Sequence, residues 1–135
     1  MGSRGAFVKS GMHGIALAYR EYSVVGDIDG VKVIRHDTKK NNPTPVYSNS
    51  PDTVYYSYST NSGQIERVLF YKKHRLVYSI DLEKGGVPAH AHKWGRSGQM
   101  VGRNRHDPRN VFKLTISDMR YYKLAKEWNK EHGTK

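Results

Sequence analysis

The chain has 135 residues, enough for one domain with a single core, and its 23 lysines and arginines against 12 acids give a net charge of +11. That excess sets up a positive field that draws polyanions, so a nucleic acid, an anionic membrane or an acidic protein would each satisfy it. The absence of cysteine excludes disulfide staples and thiolate metal sites, and no apolar run approaches the roughly 20 residues that span a bilayer.

Residues 1–12 are small, polar or glycine-rich and are expected to form a flexible N-terminal segment or a cloning remnant, with 13–135 as a single domain. Met1 to Gly5 is not followed by the apolar stretch of a signal peptide. Ile15 to Tyr19 is a short apolar patch that fits one or two turns of helix or a strand. Tyr22 to Ile28 and Val31 to Arg35 flank Asp29-Gly30, a pair that tolerates the positive φ of a type I′ turn, and so predict a hairpin. Residues 37–52 are rich in turn formers and read as a long loop.

Thr53 to Ser59 is β-branched and aromatic, and Asn61-Ser62-Gly63 turns it into a second strand, Gln64 to Lys72. There strict alternation would place Ile65, Arg67, Leu69 and Tyr71 on one face. Lys73-His74 turns again into Arg75 to Leu82, where Leu76, Tyr78, Ile80 and Leu82 would form an apolar face opposite Val77, Ser79 and Asp81. These three strands predict an antiparallel meander.

After Gly85-Gly86 comes Val87-Pro88-Ala89-His90-Ala91-His92-Lys93-Trp94, in which alternation sets His90, His92 and Trp94 on one face and Ala89, Ala91 and Lys93 on the other. Alanines can sit against a core, whereas two imidazoles need hydrogen-bond partners wherever they are buried. Segment 96–109 is a basic loop, and Val111, Phe112 and Leu114 suggest a last short strand. Thr115 or Ser117 can cap a C-terminal helix with Asp118 in its first turn, an apolar face of Met119, Tyr122, Ala125 and Trp128, and Gly133 to close it. The whole is an α+β domain: a twisted antiparallel sheet of four to six strands, with the C-terminal helix and, if residues 15–19 are helical, a short N-terminal helix packed on it.

Three strands thus supply Arg67, Asp81, His90 and His92, which meet only if the register brings them into cross-strand range. Two chemistries suit the set. RNA carries its own nucleophile, the 2′-hydroxyl, so a protein need supply only a base, an acid and a cation for the phosphate. Imidazoles titrate near working pH, and a guanidinium forks onto phosphate. Alternatively, His90 and His92 with Asp81, or with His106-Asp107, could hold a divalent ion for metal-dependent cleavage. Outside these chemistries, Arg67 and Asp81 would be a plain cross-strand ion pair, and the basic face a non-catalytic nucleic-acid-binding surface.

The succession Gln64-Ile65-Glu66-Arg67-Val68-Leu69-Phe70-Tyr71, Ser79-Ile80-Asp81-Leu82 and Val87 to Trp94 resembles the C-terminal nuclease domains of bacterial polymorphic toxins and phage head-morphogenesis fusions. These belong to the barnase/EndoU/colicin/RelE-like group. The resemblance covers residues 64–94, with a looser match onward to Leu114-Thr115. It departs from the group at Ser79, where a carboxylate is usual, and in the short Gly85-Gly86 link. It implies a metal-independent ribonuclease toxin without a cofactor, cleaving RNA such as tRNA. His90 and His92 would be the acid/base pair, Arg67 the phosphate clamp and Asp81 the orienter. Read from the residues themselves rather than from the resemblance, the basic and aromatic Lys93, Trp94, Arg103, Arg105 and His106, with Thr115, are the expected substrate contacts. The resemblance also implies a cognate immunity protein and delivery within a larger bacterial or phage protein to a target-cell cytoplasm, while the residues themselves lead to the expectation of no stable membrane association.

Overall fold

The structure, a computed structural model, describes residues 22–39, 44–95 and 110–132. Six strands form one open, twisted sheet: β1 (Tyr22–Ile28), β2 (Val31–His36), β3 (Thr53–Ser59), β4 (Gln64–Lys72), β5 (Arg75–Asp81) and β6 (His90–Lys93), lying side by side in chain order. A single described helix, α1 (Ile116–His132), packs on it, which makes the domain α+β as expected. The N-terminal patch around Ile15, the basic segment 96–109 and Gly133 lie outside the described residues.

The hairpin turn behaves as its sequence demands. Asp29 and Gly30 have φ of 50° and 87°, and the Asp27 carboxylate accepts the Gly30 N–H. Loop 37–52 has a consequence that the sequence did not show: β2 and β3 are parallel neighbours, the one parallel pairing among the described strands. A parallel pair needs a crossover of a dozen or more residues, and this loop supplies it. Its later part runs beside the start of β5, where Leu76 N–H donates to the Val46 carbonyl and Ser48 N–H to the His74 carbonyl.

The sheet is apolar on both faces. Val33, Tyr56, Ile65, Val68, Ile80, Leu82 and Ala91 pack against Ala125 of α1. On the opposite face Tyr22, Ile34, Tyr55, Leu69, Tyr71 and Leu76 form a second buried cluster, with Val46 of the crossover loop also buried and the Tyr71 hydroxyl donating to the Pro45 carbonyl. A lean sequence fills both layers with tyrosine, whose ring is buried while the hydroxyl finds a partner.

Two β-bulges correct the strict alternation read from the sequence. Between β3 and β4 the pairing passes from Ser57↔Arg67 to Tyr58↔Ile65, so Glu66 is the extra residue. Ile65 therefore joins the helix-side cluster while Arg67 stays with Leu69 on the other face. Between β4 and β5 the shift from Phe70↔Tyr78 to Tyr71↔Leu76 leaves Val77 as the extra residue, and Leu76 turns away from Tyr78 and Ile80. The expected strand at Val111–Leu114 is a single bridge, Phe112 to Ala91, with both backbone hydrogen bonds made.

The helix opens on a capping box. Thr115 Oγ1 accepts the Asp118 N–H and Asp118 Oδ2 accepts the Thr115 N–H, at 3.1 and 3.0 Å. Near its other end Asn129 reaches the sheet, accepting from Ile65 N–H at 2.7 Å and donating to the Ile65 carbonyl at 3.0 Å. No helix among the described residues is long and apolar enough to cross a membrane.

Candidate active site

Register brings the four candidate residues together. Arg67 of β4 lies opposite Asp81 of β5, and Asp81 lies opposite His90 of β6, so three side chains stand in one row across three strands. His92 follows two positions along β6. Because Ala91 and Ile80 pack on the helix side, their neighbours His90, His92 and Asp81 point to the opposite face. Both expectations for β6, paired imidazoles on one face and alanine in the core on the other, are met.

The distances are short. Arg67 Nε is 3.7 Å from Asp81 Oδ1, while Asp81 Oδ2 lies 3.3 Å from His92 Nε2 and 3.6 Å from His90 Nε2. The two Nε2 atoms are 3.0 Å apart, with the rings edge to face at 87°. These groups line one side of a cavity of about 290 Å³ at the start of β4 and the end of β5, whose other walls include Glu66, Glu83, Lys84, Lys126 and Asn129. His92 is 1 % exposed, whereas His90 and Asp81 are 15 % and 16 % exposed.

Both imidazole tautomers follow from their outer partners. His90 Nδ1 is 2.7 Å from the Pro88 carbonyl, and His92 Nδ1 is 2.7 Å from the Asn110 carbonyl. A carbonyl only accepts, so each Nδ1 carries a hydrogen and each neutral ring presents the Nε2 lone pair inward. Two lone pairs and a carboxylate oxygen then face one another, an arrangement that calls for a positive charge among them. Burial pushes the Asp81 carboxyl up, but the His92 hydrogen bond and the charges of Arg67, His92 and His90 outweigh it and hold the carboxyl below its usual range.

Comparison with protein-family models, with curated proteins and with solved structures finds no match to the chain.

Three of the expected substrate contacts are placed elsewhere. Lys93 stands over the Phe112 ring, 4.7 Å from its centroid, and Trp94 packs toward the second core cluster with its Nε1–H on Ser79 Oγ at 2.9 Å. Thr115 is occupied as the helix cap, and none of these three lines the cavity. Arg103, Arg105 and His106 lie outside the described residues.

Two residues of the site were not anticipated. Asn110, fully buried, clamps β6: its Oδ1 accepts the Lys93 N–H at 2.7 Å and its Nδ2 donates to the Lys93 carbonyl at 3.0 Å. That clamp holds the carbonyl on which His92 Nδ1 rests. Thr44, in the crossover loop, accepts from Arg67 Nη1 at 2.9 Å. Thr44 comes from a segment that read as loop and Asn110 from the position just after another, where a polar residue gives no periodic signal; a buried polar residue becomes visible only once its partners are in place.

Proposed function

We propose that the chain is a ribonuclease domain, with Arg67, Asp81, His90 and His92 as its centre and RNA as its substrate. The observation that carries this reading is the convergence of a guanidinium, a carboxylate and two imidazoles with inward-facing Nε2 atoms at the wall of one cavity. The net charge of +11 supports a polyanionic substrate.

The geometry supports a division of labour. A separation of 3.0 Å is too short for an acid and a base on opposite sides of an in-line phosphate, so the two histidines work as one unit. His92, the more buried and the closer to Asp81, holds a proton as the imidazolium of an ion pair. His90, the more accessible, takes the 2′-hydroxyl proton at Nε2. The 2′-oxygen bonds to phosphorus, the bond to the 5′-oxygen breaks, that oxygen takes a proton from water, and the hydroxide left behind takes up the proton that His90 gained, which restores the base. The products are a 2′,3′-cyclic phosphate and a 5′-hydroxyl. Arg67 at the end of the row stabilises the charge gathering on the phosphate. On the family resemblance in residues 64–94, the domain acts as a toxin, delivered within a larger protein and neutralised by an immunity protein.

The test is incubation of the purified chain with total bacterial RNA, with and without EDTA, beside His90→Ala and His92→Ala. Discrete fragments that persist in EDTA and vanish in folded variants support the reading. Intact RNA that is nevertheless bound would sink it and leave a nucleic-acid-binding module.

A further inference from the structure

Three electron-pair donors converge at the site, and their spacing speaks to more than proton transfer. The edges of the triangle formed by His90 Nε2, His92 Nε2 and Asp81 Oδ2 are 3.0, 3.3 and 3.6 Å. Protein nitrogen and oxygen ligands lie about 2.0–2.2 Å from zinc, which for a tetrahedron sets ligand-to-ligand edges of roughly 3.3–3.6 Å. The mean of the three observed edges falls at the lower end of that range. Among the described residues, Asp81, His90 and His92 bring three metal-ligating side chains together, with a donor atom of each within 4.8 Å of the others.

We propose that Asp81, His90 and His92 form a binding site for a first-row transition-metal cation of the zinc class, with the remaining coordination position facing the cavity. Beyond the edges, four features carry it. Each Nε2 is turned inward because its Nδ1–H is spent on a backbone carbonyl, of Pro88 or Asn110, which is how metal-bound histidines are oriented from behind. The carboxylate divides its oxygens, Oδ1 toward Arg67 and Oδ2 toward the imidazoles, so the guanidinium steadies the ligand without standing in the metal's place. Two imidazoles and one carboxylate favour zinc, cobalt or copper over magnesium or calcium, which take oxygen ligands. The triad is also rigid: His90 and Asp81 are directly paired across strands, and His92 is buried on the same strand as His90.

Binding rests on this geometry alone; its consequence rests on the ribonuclease reading. A cation bound to both Nε2 atoms occupies the lone pair with which His90 would take the 2′-hydroxyl proton. Zinc therefore inhibits cleavage, and a chelator restores it.

The experiment titrates the chelator-treated full chain with Co²⁺ and then Zn²⁺, following visible cobalt absorption and calorimetric stoichiometry, with RNA cleavage in parallel. One Co²⁺ per chain, in a low-symmetry site and displaced by Zn²⁺, is expected. His92→Ala should abolish the signal, and the near-isosteric Asp81→Asn, checked by circular dichroism to be folded like the wild type, should weaken binding by about tenfold or more. Absence of a cobalt signal, or its persistence in both variants, overturns the site. If cobalt binds but cleavage requires the metal, the site stands and the metal-free mechanism fails. If cleavage resists EDTA and no metal binds, the site fails and the ribonuclease reading stands.

Discussion

Asn110 holds Lys93 by both backbone groups, and its own carbonyl receives His92 Nδ1. One buried amide side chain thus fixes the end of β6 and, through the main chain, the tautomer of the more buried histidine. Asn110→Ala strands the Lys93 N–H and carbonyl and should cost about 1–3 kcal/mol in a urea melt. Because Asn110 is a positioning residue, the slowed Nδ1–H resonance of His92 should also broaden or vanish in proton NMR while the fold remains. A variant with an unchanged His92 resonance would show that the clamp is structural only.

Arg67→Lys keeps a positive charge but loses the fork that reaches Asp81 on one side and Thr44 on the other. Cleavage of RNA should fall roughly 10²-fold, the scale for removing one charge-stabilising donor, while melting temperature changes little. Thr44→Ala should give a smaller loss in the same direction. Wild-type rates in Arg67→Lys would remove Arg67 from the mechanism.

The tyrosine cores make the fold sensitive to alkali. Burial, with the nearby Tyr121 and Asp29, pushes Tyr56 up to about 12, and burial also raises Tyr55, Tyr71 and Tyr78. A raised folded-state value means that stability is intact below the unfolded value near 10 and is lost as pH climbs from there toward 12. Tyr56 alone would remove about 2–3 kcal/mol across that window. Absorbance titration should show these phenols ionising only as circular dichroism reports unfolding; free titration near 10 in the folded state would contradict the burial.

Lys73 and His74 turn β4 into β5 with φ of 52° and 71°, a conformation costly for residues with a Cβ. His74 is retained by bonds to the loop, its Nδ1 at 2.9 Å from the Ser48 carbonyl and its N–H on the Pro51 carbonyl. Lys73→Gly should relieve strain without breaking these and raise stability by about 0.5–1 kcal/mol in denaturant titration. A destabilised Lys73→Gly would mean that the lysine stem contributes packing larger than the backbone strain.

The amino-acid order alone determined the strands, the Asp29-Gly30 turn, the capped C-terminal helix and the placing of His90 and His92 on one face of β6. Each of these follows from local rules, the twofold alternation of a strand or the φ that a residue tolerates, and those rules act within a few residues. The parallel pairing of β2 and β3 escaped them because it depends on where a long loop lands. The bulges at Glu66 and Val77 escaped because an extra residue costs the local pattern nothing visible and is decided by contacts between strands. Register decided the site. Arg67, Asp81 and His90 are separated by 14 and 9 positions in the chain, and only the pairing of three strands sets them in one row. Asn110 and Thr44 joined them from loops, because a buried imidazole or guanidinium requires a partner and the fold, not the neighbouring sequence, determines which polar group is within reach.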